Sequence, residues 1–341
     1  MKKTFVILLI ISLSILSCSK NVNSTDEKND ISDYGLKGKV KSVKSEVFNL
    51  IKEKDTFKIG DKENSSGLDR NRTLSFNQNG KIDFEKEFYA NGKVSNEILY
   101  TYDKDNKLIR RKKVDNNGKD SFYDNEFLYN SKDSIIQWTM SNNDFRRIHK
   151  FERDKKNRLI KMKVIENDTI NYLFITDYDK KGNIVLEKEF KSNNIPIKLI
   201  ERSFNEQNLK EKEKVVEYLT WDTLNYENHF FYDSNRNLIL VKNNFENDST
   251  FTEIKNSYYK NDKLKESVRK PIGSSYFVTT VQKFNKKGEL TEYSRIPSDE
   301  RPKQVWEYKY DYDTKGNWIE KINFKDKKPL RMIKRSIQYY E

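Results

Sequence analysis

The feature that most constrains this chain is a turn that returns about every 26 residues. An aromatic residue is followed by a polar stretch holding Gly or Asn, then by an apolar residue. Phe76–Ile82 (FNQNGKI), Tyr102–Leu108 (YDKDNKL), Tyr178–Ile184 (YDKKGNI) and Tyr312–Trp318 (YDTKGNW) are clear copies. Others start at Phe204, Tyr232 and Phe284, and weaker ones at Tyr129, Phe151 and Tyr259. The ten turn centres lie near 79, 105, 132, 156, 181, 207, 235, 261, 287 and 315, with spacings of 24 to 28. A looser turn sits midway, as in Asn91-Gly92, Asn116-Asn117-Gly118, Asn167-Asp168 and Asn193-Asn194. Turns therefore come every 13 residues or so, and a fixed period of this kind marks a repeat architecture.

Asp and Asn bond their own backbone and start turns, while Gly and Asn tolerate positive φ. About eight residues remain between turns, an ordinary strand length. Strands joined by tight turns are antiparallel neighbours. The expected fold is all-β: a tandem hairpin meander of about 20 strands, forming a long twisted single sheet or partial roll with no globular α domain. Side chains alternate along a strand. Tyr100 with Tyr102, Phe127 with Tyr129, Phe230 with Tyr232, and Trp306, Tyr308, Tyr310 and Tyr312 should each share a face and form aromatic ladders.

Composition suits a thin sheet. Only 35% of the 341 residues are apolar, and 35% are charged. A typical globular domain is roughly 45–50% apolar. Low hydrophobicity with high charge would otherwise suggest disorder. Here 20 Tyr, 20 Phe and 4 Trp, all on a periodic pattern, oppose it. The formal charge is +13. Lysines that keep sheet faces and edges soluble account for it most simply. Acidic polysaccharide, anionic lipid and nucleic acid are the partners that such a charge attracts.

The N-terminus reads as an address. Lys2 and Lys3 precede an apolar run from Phe5 to Leu16, broken only by Ser12 and Ser14. That run is short for a membrane span and right for a signal segment. It ends at Ser17-Cys18, and Cys18 is the only cysteine, so no disulfide forms within the chain. Residues 19–33 are polar and aperiodic, as in a tether. The expected division is a signal peptide at 1–17, Cys18 and a flexible tether at 18–34, and the repeat domain at 35–341.

The motifs Tyr100-Thr-Tyr102-Asp103, Tyr178-Asp179-Lys-Lys-Gly182-Asn183 and Tyr310-Asp-Tyr312-Asp313-Thr-Lys-Gly316-Asn317 resemble YD repeats, which occur in Rhs-type and teneurin-type shells. Gly35-Leu-Lys-Gly38-Lys-Val40 and Gly316-Asn-Trp318-Ile resemble segments of small bacterial YD-repeat lipoproteins, over roughly 35–341. Ile15-Leu16-Ser17-Cys18 is similar to a lipobox. These resemblances imply lipidation of Cys18, and Ser19 after it implies sorting to the outer membrane.

Chemistry is hard to find. No GxGxxG, P-loop, HExxH or GxSxG motif is present. The 53 acidic residues form so many close pairs that none stands out. His149 and His229 each lie two residues before a Phe, which places both on the aromatic ladder. The candidate binding residues are aromatic and basic: Tyr100, Tyr102, Arg110, Arg111, Tyr308, Tyr310 and Tyr312. No catalytic or metal-binding residue and no cofactor is expected. The leading expectation is a non-enzymatic cell-envelope lipoprotein whose extended sheet acts as a spacer or binding surface. Its partners would be the membrane through the anchor, and acidic polysaccharide or an envelope protein pairing with a free strand edge. Nucleic acid is badly placed as a partner in the envelope. A glycan-active hydrolase with carboxylates on a sheet face, and an accessory to a toxin or immunity system, are the alternatives.

Overall fold

The computed structural model describes residues 30–341 apart from 55, 65–68, 116–120 and 246–249. Cys18 and most of the expected tether lie outside the described residues. The first packed residues are a single helical turn, α1 (Asp30–Asp33), a little before Gly35, where the repeat pattern begins.

All ten expected turns are present, and they share one design. In Asp103–Lys107 the Asp103 N–H donates to the Lys107 carbonyl at 3.0 Å, and the Asn106 N–H to the Asp103 carbonyl at 3.1 Å. The Asp103 carboxylate accepts from the amides of Asp105 and Lys107, both at 2.9 Å. The fourth residue has positive φ in all ten turns: Gly at four, Asn at three, Asp at two and Arg236 at one. A left-handed residue at that place ends a type I turn in a bulge and restores the strand twist. The first residue is Asp or Asn in nine turns. Tyr259 is the exception, and there the Asn261 side chain reaches the Lys263 amide at 3.3 Å.

The turns separate 23 strands. The first six are β1 (Val40–Glu53), β2 (Thr56–Lys62), β3 (Arg72–Phe76), β4 (Ile82–Phe88), β5 (Val94–Tyr102) and β6 (Leu108–Asp115). Next come β7 (Ser121–Tyr129), β8 (Ile135–Ser141), β9 (Arg146–Arg153), β10 (Leu159–Glu166), β11 (Thr169–Tyr178) and β12 (Ile184–Lys191). They are followed by β13 (Ile195–Phe204), β14 (Lys210–Tyr218), β15 (Thr223–Tyr232), β16 (Leu238–Phe245), β17 (Phe251–Tyr258) and β18 (Leu264–Ile272). The last are β19 (Val278–Phe284), β20 (Leu290–Pro297), β21 (Gln304–Tyr312), β22 (Trp318–Lys325) and β23 (Lys328–Tyr339). The ten strict hairpins are β3–β4 through β21–β22, and they supply 20 strands. Their turns all lie at one rim, the looser turns at the other.

The sheet does not stay open. Val40–Asn49 of β1 pairs antiparallel with Arg331–Tyr339 of β23, and Ser42–Ser45 of the same strand pairs with β3 on the other side. The result is a closed antiparallel β-barrel of 22 strands, with β2 as an extra strand on the far part of β1. The expected open twisted sheet or partial roll is therefore corrected. A round ring of this many strands is on the order of 40 Å across. Every ring strand finds its partners within residues 40–339, so a chain beginning at residue 19 holds the whole fold. Among the described residues only β2 keeps a free edge, and the free terminal edges expected for strand pairing with a partner are absent from the ring.

The seam is sealed by the best core in the molecule. Val40, Val43, Leu74, Phe76 and Ile82 are buried, with Ile31 and Leu36 laid over them from the N-terminal segment. Tyr34 packs edge-on against Phe76, with ring centroids 5.9 Å apart. Asp30 holds this lid to the first strict turn, its amide donating to Gly80 O at 3.0 Å and its carboxylate accepting from the Ile82 amide at 2.8 Å. At the C-terminus the Tyr340 hydroxyl donates to Phe76 O at 2.6 Å.

Tyrosines stitch the other hairpins together. Tyr102, Tyr129, Tyr178, Tyr232, Tyr258 and Tyr310 each donate a hydroxyl hydrogen bond of 2.8–2.9 Å to a carbonyl at the start of the preceding strand. Those two strands are neighbours, but their connecting turn lies at the far rim. Each tyrosine thus ties adjacent repeats where no covalent turn does.

The two faces differ. Tyr308, Tyr310 and Tyr312 are half-buried while Lys309 and Asp311 between them are exposed; Ile98, Tyr100 and Tyr102 contrast in the same way with Leu99 and Thr101. A closed sheet crowds side chains on its concave face and spreads them on its convex face, so the ladder face is the inner wall. The outer face carries charges in mid-strand, including Lys212 and Lys214 on β14 and Glu253 and Lys255 on β17. A membrane-spanning barrel needs an outward apolar band about 25 Å tall. This exterior is the reverse. Among the described residues no helix is long and apolar enough to cross a membrane.

Closure is directly testable. Lys44 and Ser336 are register partners across the seam and both are exposed. Directly opposed Cα atoms in antiparallel strands lie about 4.5–5.5 Å apart, within disulfide range. In a chain starting at residue 19, Lys44→Cys with Ser336→Cys should form an intramolecular disulfide in high yield under mild oxidation, read by non-reducing gel mobility and peptide mass. Two free thiols after oxidation would mean an open sheet.

Candidate functional site

The inner wall brings aromatic rings and charges into one surface, because register places equivalent positions of successive hairpins side by side. Phe127, Trp138 and His149 are opposed across β7, β8 and β9. Phe127 and Trp138 stack with centroids 6.3 Å apart and planes 11° apart; Trp138 and His149 stack at 4.3 Å and 18°. The Trp138 indole N–H donates to Asn125 Oδ1 at 2.8 Å, which fixes the ring. Burial, helped by the Arg147 charge, holds the His149 imidazolium pKa below its ordinary value.

Two ionic rows line the wall farther round. Arg202 on β13 bridges Glu187 on β12 at 2.5 Å and Glu213 on β14 at 2.7 Å. Burial pushes Glu213 up, but the charges of Lys210 and Arg202 outweigh it and leave the carboxyl below its usual range. The second row is Glu189, Lys198 and Glu217 on the same three strands. Lys198 Nζ donates to Glu217 at 2.7 Å. Glu189 is pushed up by burial, with Glu217 adding to the effect and Lys198 opposing it.

A third group surrounds the seam. The Arg335 guanidinium lies over the Trp318 ring, 3.3 Å from its centroid. Burial, and then the Arg72 charge, pull it down to about 9, which still leaves it a cation at neutral pH. Arg72 pairs with Glu85 at 3.2 Å, and Lys321 with Asp69 at 2.8 Å. Arg111 sits over Tyr100, 5.8 Å from the ring centroid. Burial pushes the Tyr100 hydroxyl up to about 12.

The candidate residues are thereby sorted. Tyr100, Tyr102, Arg111, Tyr308, Tyr310 and Tyr312 face inward. Arg110 faces outward, with its Nε 2.9 Å from the Asp124 carboxylate. Tyr102 and Tyr310 spend their hydroxyls on the inter-repeat bonds above. Tyr312 accepts from Asn285 at 3.0 Å and lies under Lys287, and the Tyr308 ring lies under Lys321 at 5.4 Å. The Tyr100 and Tyr308 groups are not one patch. Six strand pairings, passing through the seam, separate β21 from β5. His149 lies on the ladder as expected, but His229 does not. It is opposite Lys212 and Lys242 on the outer face, 3.3 Å from Glu227. Its neighbour Phe230, not Phe231, is the ladder member.

Trp138, Arg202, Glu189, Trp318 and Arg335 were not singled out from the sequence. Counting back and forward from each strict turn would have opposed Arg202 to Glu213. Nothing local opposes Arg335 to β1. Among the described residues no three His, Cys, Asp or Glu side chains are grouped to hold a metal ion.

No family model matches the chain, and no curated protein does. The resemblance to YD-repeat lipoproteins thus rests on the turn motifs alone. Among solved structures, the chain is similar to a TcdB2-TccC3 toxin component without its hypervariable C-terminal region, at 10% identity and a TM-score of 0.45 over 85% of this chain. A second TcdB2-TccC3 structure gives 10% identity and a TM-score of 0.42 over 80% of this chain. The chain spans 17% of the length of each. A porin-like protein from Bacteroides uniformis matches at 7% identity and a TM-score of 0.30, over 88% of this chain and 96% of that one.

The Trp138–His149 stack carries a pH dependence. A histidine with a depressed folded pKa is held neutral, so the unfolded chain binds more protons at acid pH. Its contribution is full above the unfolded value of about 6.5 and is lost as pH falls through it toward the folded pKa. The urea midpoint should drop between pH 6.5 and 5, and His149→Gln should remove part of that drop. An unchanged pH slope in the variant would show that carboxylates alone carry it.

Proposed function

We propose that this chain is a non-enzymatic cell-envelope protein, held at the outer membrane by lipid on Cys18, whose barrel binds acidic polysaccharide on its inner wall. The observation that supports this most is the interleaving of rings and cations on that wall, as in Arg335 over Trp318 and Arg111 over Tyr100. Aromatic faces accept the C–H faces of sugars, guanidinium groups meet carboxylates in forked geometry, and Asn and Glu take hydroxyls. A wide polar lumen suits an extended polymer better than a small molecule, which wants an enclosed and mainly apolar pocket. Edge pairing with a protein strand loses its basis, because each ring strand already has two neighbours.

Titrating the chain from residue 19 with oligogalacturonate should give saturable binding that weakens as salt rises. Tyr308→Ala and Arg111→Gln should each weaken it about tenfold, as for loss of one ring or one charge-assisted contact worth ~1.4 kcal/mol. Binding unaffected by both variants would overturn the inner-wall reading. Hydrolysis is the second reading, favoured by the raised Glu189 carboxyl beside Glu217 on one face. Shortening of the oligosaccharide, abolished by Glu189→Gln, would put it first. The anchor has a separate test: Cys18→Ala in the full chain should abolish incorporation of labelled fatty acid, and retained label would refute lipidation there.

A further inference from the structure

We propose that the strict-turn rim is an electrostatic docking surface for anionic lipid headgroups, so that the barrel stands on the membrane by this end. The proposal deepens the envelope reading and rests on it for the choice of a membrane as partner. Its first support is charge. The ten five-residue strict turns hold fifteen Lys and Arg against ten Asp and Glu. The described residues of the looser turns hold four against six. Among the described residues the strict-turn rim is therefore positive and the looser-turn rim slightly negative, a separation that the net charge of the chain conceals. Five of the ten strict-turn acids are first-position aspartates, and in each the carboxylate accepts amide hydrogen bonds within its own turn.

The second support is that the rim is one continuous surface. Side chains bond from turn to turn around it, as in Asn79 to Asn106 at 2.8 Å, Asn130 to Asn157 at 3.0 Å and Asn183 to Asn208 at 2.7 Å. Lysines at the turn tips, including Lys155, Lys156, Lys180 and Lys181, are exposed. Seven of the ten turns carry Lys at the second or third position, so cations line most of one rim, a shape that meets a flat anionic surface at many points at once.

The third support is where the chain enters. Asp30 is fastened at this rim through Gly80 and Ile82, and Lys37 is held beside it by its amide donating to Asn317 Oδ1 at 2.7 Å. Eleven residues separate Cys18 from Asp30. Fully extended they reach at most about 40 Å. A lipid on Cys18 would thus join the barrel at the basic rim and not at the acidic one. A soluble polyanion has no such reason to meet this end in preference to the cationic groups of the inner wall.

The test uses the chain from residue 19, so that acylation plays no part, and vesicles of phosphatidylethanolamine with phosphatidylglycerol at about 3:1 in sedimentation assays. Binding should be strong at low salt, fall steeply as ionic strength shortens the screening length, and be absent with phosphatidylcholine alone. Lys155, Lys156, Lys180 and Lys181 changed together to Glu should weaken it at least about tenfold. Lys93, Arg301, Lys303 and Lys327 changed to Glu at the opposite rim should change it less than about twofold. Far-UV dichroism checks that both variants fold. Trp221 is a reporter for orientation: it lies at the opposite rim and is 85% exposed. Its acrylamide quenching, isolated by difference from Trp221→Phe, should not change when vesicles bind. Equal weakening by the two variants, shielding of Trp221, or vesicle binding abolished by equimolar polygalacturonate would each overturn the proposal. A negative result would leave lipidation of Cys18 untouched, since fatty-acid labelling reads it independently.

Discussion

The structure depends on the pairing of β1 with β23. Without it, twenty hairpin strands would end in two open edges, each a row of unpaired amides and carbonyls. The join spans nearly the whole chain, yet distance is a modest obstacle. Closing a loop of roughly 290 residues costs about 2 kcal/mol more than closing one of 26, because the entropy grows only with the logarithm of length. The seam offsets this with ladder bonds from Val40 to Asn49 and with Val43, Val47, Ile333 and Ile337 on the inner side. The lid of Ile31, Tyr34 and Leu36 then shields it. Among the described residues the seam is the one place where a second apolar layer exists.

Elsewhere the wall is one sheet thick, and that explains the composition. A single layer has no interior for aliphatic side chains to fill. Its stabilising contacts lie within each face, between neighbours in register. Aromatic rings do this well because they are broad, and ion pairs such as Glu187–Arg202–Glu213 do it without dry surroundings. A chain with 35% charge can therefore hold its shape. The tyrosine hydroxyl bonds add a second kind of link, from side chain to the backbone of the adjacent repeat, at the rim where the covalent turns alternate.

Much of this was legible in the sequence, and the limits are physical. The turn is local chemistry, so Asp103, Asn106 and their equivalents announced all ten strict turns. Alternation is also local, so Tyr308, Tyr310 and Tyr312 were correctly placed on one face. Closure is not local. Nothing in Val40–Glu53 marks it as the partner of Lys328–Tyr339, and a meander with the same turns could have remained open. The site suffered for the same reason. Arg110 and Arg111 were both candidates, and adjacent residues on a strand face opposite ways, but which of the two faces inward follows only from closure. Arg335 and Trp318 acquired their setting only when the ring shut. His229 was misplaced by one position because it was phased on Phe231, whereas the ladder pair Phe230 and Tyr232 sets it on the opposite face.

The tyrosine-linked turn has a consequence for how such a barrel could change size. Each unit brings its own corner and its own two staves, six of the ten also bring a tyrosine bond to the preceding unit, and none asks more of the rest than a place in the row. Gain or loss of one unit of about 26 residues alters the circumference by two strands and leaves every other joint as it was. The calibre of the tube is thus set in steps by unit number rather than by the size of any side chain. The seam, which alone joins dissimilar strands, is the part that every such change must preserve.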